Sequence, residues 1–340
     1  MPARPSPTRR LHIGTAAAAT GLVLVLGGCS TDSSAPQPSR TTTPAPSPTQ
    51  AKPLLTVQQA DQLDRYQQVN NAANAKQDAA QLCTVEDGAT YEQSRADFKQ
   101  WPIYSEKEKK EYADAWTYAQ RTYFIPEQGK ASWFLMCAYA DHGGKISKEP
   151  SLVVFDSPDG AGFKLTASVH GLDTEPPLPQ TSPDGLALLA DPAAKSGPLA
   201  PVDVTAAFED LYATGGRDKS TGLDRTTESA EAALKIYTER DKEVGPKGGA
   251  KKFFPAKTSH AIYALKTREG VLTLVPLAHT MEVMVTRPGL QVDPSPVEAL
   301  FGAKAGPVIT DEFHGQAAAY LPAQGSAQVL GFGYTVTGAH

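Results

Sequence analysis

The chain has 340 residues, of which 40% are hydrophobic and 20% charged, with a formal net charge of −5 at pH 7. That length exceeds a single small domain and suits a leader followed by two domains of ordinary size. An acidic chain excludes nucleic acid as a general partner and offers no overall attraction to anionic lipid head groups.

The first 28 residues read as an export signal. Arg4, Arg9 and Arg10 precede an apolar run over residues 13–26, which closes in "LGGC" at Cys29. This order of charged, apolar and small residues is that of a secretory signal, too short for an ordinary membrane-spanning helix. A cysteine directly after Leu-Gly-Gly matches the bacterial lipoprotein box. Its thiol takes diacylglycerol, Cys29 becomes the new N-terminus, and the lipid holds the chain on the extracytoplasmic face of the cell membrane. Two or more acyl chains make such an anchor stable. The "TRRLHI" of residues 8–13 weakly resembles a twin-arginine motif, with His12 where that motif prefers phenylalanine. The export route stays open between the general secretory and twin-arginine systems. Without its leader the chain keeps 29 basic against 37 acidic residues.

Residues 30–53 hold six Pro, five Ser and five Thr among 24 positions and show no apolar period. Such a stretch buries too little surface to fold. With Cys29 it forms a tether reaching roughly 30 Å as a coil and about 70 Å as extended polyproline II. Beyond it lie Cys83 and Cys137, an even pair outside the cytoplasm and hence a disulfide candidate, with two free buried thiols as the alternative. Closing that loop would stabilise by about 4 kcal/mol in the chain-entropy model.

Residues 54–198 and 199–340 divide into two α+β domains, with the seam at "DPAAKSGPLAP", residues 191–201. In the first, Thr56 and Gln59 form a capping-box start. Helical spacing then continues through Tyr66, Asn70 and Asn74 to about Cys83, with a second helical piece at residues 94–100. Strand-like segments follow at residues 115–125, 131–141, 151–157 and 162–170. The second half repeats the order. Helices at residues 202–215 and 226–244 precede strands at 260–267, 271–277, 279–286, 315–322 and 326–338. Helices followed by an antiparallel meander, twice over, predict helices on one face of each of two curved sheets.

The segment "YQQVNNAANAKQDAAQLCTVEDGA", from Tyr66, resembles the opening helices of uncharacterised actinobacterial lipoproteins. The order of two helices and four or more long strands resembles NTF2-like and cystatin-like cone folds. The resemblance implies tandem domains of that fold. It implies no activity that can be carried over to a residue.

Linear catalytic, nucleotide, metal and cofactor motifs are absent, so no catalytic residue, metal site or cofactor is assigned. Enzymes of the NTF2-like kind line a cone with scattered ionisable groups instead. Candidates for such a lining are Asn70, Asn74 and Asp78, four residues apart, and the Asp141–His142 pair at a strand end. All asparagines of the chain are Asn70, Asn71 and Asn74. On a helical wheel Asn70 and Asn74 continue the inward stripe of Leu63 and Tyr66, so their amides need partners. On strands, Asp311 and His314 point to opposite faces, as do His279 and Glu282, whereas Glu312 and His314 share one.

Three functions remain. The first is a non-catalytic envelope lipoprotein that binds or scaffolds an extracytoplasmic protein or ligand. The second is an NTF2-like enzyme acting on a small hydrophobic or wall-derived molecule. The third is the solute-binding lipoprotein of a transporter, which needs two parallel-sheet lobes that the consecutive strands argue against. Absence of a catalytic motif favours the first.

Overall fold

The computed structural model describes residues 51–61 and 64–340; the leader, Cys29 and most of the tether lie outside the described residues. From Ala51 to His340 the chain is one compact unit. Its elements in chain order begin with helices α1 (Val57–Asp61), α2 (Asp64–Lys76), α3 (Ala79–Leu82), α4 (Gly88–Gln100) and α5 (Glu106–Ala113). Strands β1 (Thr117–Phe124), β2 (Trp133–His142), β3 (Lys145–Asp156) and β4 (Lys164–Val169) follow. Then come α6 (Pro201–Thr214), α7 (Glu228–Glu239), β5 (Gly249–Pro255), β6 (Tyr263–Thr267), β7 (Gly270–Val285), α8 (Pro296–Phe301), β8 (Val308–Pro322) and β9 (Gln328–Ala339). The architecture is α+β, with two antiparallel sheets, four-stranded β1-β2-β3-β4 and five-stranded β5-β7-β8-β9 with β6 also on β7.

Alternation along β2 and β3 fixes the layers. Phe134, Met136, Ala138, Val153 and Phe155 face Tyr66, Leu82 and Phe98 of the helices and Val85 of the turn between α3 and α4. The intervening Leu135, Cys137, Leu152 and Val154 pack against Leu265, Leu272, Leu274, Ala318 and Leu330 of the second sheet. On that sheet's other face Val275, Leu277, Ala317 and Val329 meet Phe208 and Leu211 of α6 and Ala233 of α7. The order is therefore helices, sheet, sheet, helices. Each leucine fully buried between the sheets contributes roughly 1.5–3 kcal/mol.

This layering separates the two thiols. Cys83 is the C-cap of α3, on the helical side of the first sheet, and its Sγ contacts Ala80 O at 3.1 Å. Cys137 is buried on the opposite face, between the sheets. Both are free, so the expected disulfide is not formed. Burial pushes the Cys137 thiol up to about 11, out of the reactive range.

The first helix differs from the sequence expectation in its length. Thr56 and Gln59 exchange the two hydrogen bonds of a capping box, at 2.8 and 3.2 Å. Helix α2 carries all three asparagines but ends at Lys76, because Gln77 turns left-handed (φ 54°) and Asp78 caps α3 by accepting from Gln81 N. Further along, residues 270–285 form one strand where two were expected. Its outer partner changes from β6, opposite Gly270–Leu274, to β5, opposite His279–Val285. Pro276, which has no N–H to give, stands in the gap between them.

Candidate functional site

The asparagines lead to a buried carboxyl group. Asn70 is 5% exposed and Asn74 9%. The Asn70 amide donates to Glu86 Oε1 (3.1 Å) and to the Tyr66 hydroxyl (3.2 Å), and its oxygen accepts from Asn74 Nδ2 at 2.9 Å. The Tyr66 hydroxyl donates to the same Glu86 Oε1 at 3.1 Å. Glu86 itself lies between α3 and α4, where its backbone bridges to Leu165 of β4 and brings the carboxyl under the helical layer. Burial pushes its pKa up to about 7, against the lowering effect of the nearby Ser94 hydroxyl and of the hydrogen bonds from Tyr66 and Asn70. Ser94 sits close enough to lower that pKa, but no partner meets Glu86 Oε2 with hydrogen-bond geometry.

Three fully buried polar atoms at this cluster have no hydrogen-bond partner: Glu86 Oε2, Asn74 Oδ1 and the Tyr118 hydroxyl. Tyr66 and Tyr118 stack with centroids 6.4 Å apart, and burial raises both phenols well above their usual value. A void of about 10 Å³ between Tyr66, Gln67, Tyr118, Tyr123 and Phe155 has room for one water. Outside it lies an open cleft of about 530 Å³ lined by Val57, Gln58, Asp61, Tyr118, Gln120, Arg121 and Tyr123. A bulge between Ala119 and Thr122 shapes its floor, with Gln120 left-handed at φ 51°. The bulge turns Arg121 so that it donates to Tyr118 O (2.9 Å) and to Asp61 Oδ1 (3.1 Å), which also accepts from Tyr123 at 2.9 Å. Non-glycine residues held left-handed cluster at ligand sites in general.

The other sequence candidates take structural posts. Asp78 is a helix cap. Asp141 accepts from Gly144 N at 2.7 Å in the β2–β3 turn, and His142 is exposed beside it. Asn71 brackets the Trp116 backbone, donating to its oxygen at 2.8 Å and accepting from its nitrogen at 3.4 Å. The ladder thus comprises Asn70 and Asn74 alone. Glu86, absent from the sequence candidates, is the partner of Asn70, and Asn74 reaches it only through Asn70. Its only signal was the buried polar stripe that had to be answered by something.

Two further ionisable clusters stand apart. Glu92 Oε2 on α4 lies 2.8 Å from both His260 Nε2 and His314 Nδ1, although His314 Nδ1 lacks the alignment of a hydrogen bond. The His260 and His314 contacts hold Glu92 down to about 2, and Glu92 in turn raises His314. In the second half Glu209 Oε2 is 2.8 Å from His279 Nδ1, while Tyr334 donates to Oε1 at 2.7 Å. Among the described residues no group of three or more His, Cys, Asp or Glu side chains could hold a metal ion.

The family model "Domain of unknown function (DUF8094)" matches residues 51–340, which is the whole of the compact unit. The chain belongs to that family. It is also similar to an uncharacterised lipoprotein, SCO6871, of Streptomyces coelicolor. The two are 32% identical over 302 residues, 85% of this chain and 82% of that protein. The likeness to an uncharacterised actinobacterial lipoprotein, expected from the lipoprotein box and the asparagine segment, is therefore found over most of the chain. No solved structure matches. No helix among the described residues is long and apolar enough to cross a membrane.

Proposed function

We propose that this member of the family is a lipid-anchored, non-catalytic binding module of the cell envelope. The lipid on Cys29 holds it at the extracytoplasmic face, and it engages a partner at the cleft beside β1. The observation that carries this reading is how the interior is filled. Leu135, Leu152 and Leu272, 2% exposed or less, fill the space between the sheets, and the Asn70 amide is spent on Tyr66 and Glu86 while that of Asn74 is spent on Asn70. What the surface offers is an open cleft with a paired Arg121 and Asp61 and two tyrosines, suited to a complementary polar and aromatic surface.

A photo-crosslinking side chain placed at Gln58, on the cleft rim, in the native host tests this. The expected result is one adduct of discrete mass, lost with Arg121→Ala and unchanged with Glu86→Gln. Absence of an adduct at Gln58 overturns the binding reading. Loss of the adduct with Glu86→Gln, in a protein that stays folded, would instead place the buried carboxyl in the work of the site.

A further inference from the structure

One stretch reverses the charge of the molecule around it. Residues 240–260 carry six of the 29 basic side chains and two of the 37 acids left after the leader. Both acids are occupied: Asp241 accepts from Lys251 N and lies 3.8 Å from Arg240, and Glu243 lies 3.8 Å from Lys251 Nζ. Lys247, Lys252 and Lys257 are exposed and make no ion pair among the described residues, and the same holds for Arg287. Arg287 joins them in space, since its Cδ would lie 3.4 Å from a Cβ at Gly248. Along the free edge of β5, Phe254 is 43% exposed, and Leu290, packed at the Gly248 end, is 44% exposed.

Lysine and proline on an edge strand also guard against stray sheet pairing. That accounts for Lys252 and Pro255. It does not account for Lys247, Lys257 and Arg287, which lie off the strand, or for an exposed phenylalanine beside them.

We propose that the β5 edge, with Lys247, Lys252, Lys257 and Arg287 around Phe254 and Leu290, is a docking surface for an anionic membrane. Unpaired cations flanking exposed apolar side chains are the chemistry of peripheral membrane contact. The remainder of the molecule, more acidic than the chain as a whole, is repelled from the same surface, so the patch sets which side faces the lipid. The lipid anchor supplies only effective concentration, as any tether does. The proposal rests on the anchor reading for its setting, and the test removes the anchor so that the two can fail separately.

Mature chain carrying Cys29→Ser is sedimented with vesicles of phosphatidylcholine, or of phosphatidylcholine with one third phosphatidylglycerol, at low and high salt. Binding only to the anionic vesicles, weakened by salt, is expected. Each basic side chain near such a surface is worth roughly five-fold, so K247Q/K252Q/K257Q is expected to lose affinity by roughly twenty-fold or more. F254S is expected to weaken binding that the lysines retain at low salt. K107Q/K110Q/K148Q, exposed lysines elsewhere, should change little, and circular dichroism checks that every variant is folded. Equal binding to both vesicle types, no binding, or equal losses from both lysine sets overturns the proposal. So does tighter binding to soluble polyglutamate than to vesicles, which would make the partner an acidic polymer.

Discussion

Glu86 in the first half and Glu209 in the second are both buried between a sheet and its helices, 2% and 1% exposed. Their surroundings differ. Glu209 has His279 on one oxygen and Tyr334 on the other, and the imidazole is stacked between Tyr212 and Phe313 at 4.9 and 5.0 Å. Glu86 has Tyr66 and Asn70 on one oxygen and nothing well aligned on the other. The first is a closed network. The second leaves acceptors unanswered next to a void and a cleft, the place where the proposed partner approaches. Incomplete satisfaction is costly in a core; among the described residues it recurs in the second half at Thr267 Oγ1, Asp311 Oδ1 and His314 Nδ1, so what sets the Glu86 cluster apart is the void and the open cleft beside it.

The largest effect is expected where the network is complete. Glu209→Ala leaves an imidazole and a phenol buried without their acceptor. Removing one partner of such a pair costs about 3–5 kcal/mol. Urea denaturation at neutral pH measures it; a loss below 1 kcal/mol would show that water replaces the carboxylate, and the contrast with Glu86 would vanish.

Glu86 is expected to respond in the opposite sense. Its folded pKa, about 7, lies above the ordinary 4.5, so the folded protein holds a proton that the unfolded chain releases. The contribution is therefore present below about 4.5 and lost as pH rises through 7. Glu86→Gln keeps the shape without the charge. It is expected to raise stability at pH 8 by about 2–3 kcal/mol and to flatten the pH dependence between 5 and 7. An unchanged pH profile in the variant would mean that Glu86 is ionised and hydrated in the folded protein.

Between the halves, Glu92 has its pKa lowered to about 2 and His314 has its pKa raised. The carboxylate's contribution is present above about 4.5 and lost as pH falls through 2; the imidazole's is present below its unfolded pKa and lost as pH rises. Glu92→Gln is expected to cost about 1–2 kcal/mol near pH 5.5, where both ionic forms coexist, and less at pH 8. Equal costs at the two pH values would reduce the contact to a neutral hydrogen bond.

Legibility in the sequence followed locality. Alternation along β2 puts Cys137 and Phe134 on opposite faces, but which face meets the helices that carry Cys83 is a tertiary fact, so the disulfide expected from the sequence does not form. The helices α5 and α8 were missed although each opens on a readable capping box, Ser105 with Glu108 and Ser295 with Glu298. Strand β5, with two lysines, did not look like sheet because it is an edge. The Glu92–His260 contact spans 168 positions, and no local pattern encodes such a meeting. The asparagine stripe announced that buried amides needed partners but could not name Glu86, which is supplied by the return of the chain through α3.

The smallest expected effect concerns the floor of the cleft. Gln120 holds φ 51° in the β1 bulge, a conformation that costs a residue with a Cβ about 1 kcal/mol. Glycine adopts it freely but releases more entropy on unfolding, so Gln120→Gly is expected to stabilise by only about 0.5 kcal/mol. Its value lies in the pairing with the crosslink at Gln58. If the bulge serves only to end the pairing of β1, the variant is slightly more stable and the adduct is unchanged. If the strain holds Arg121 against Asp61, the freer glycine loosens that 3.1 Å contact. Stability would then rise while the adduct yield falls, and that opposition would separate a binding surface from a mere irregularity in an edge strand.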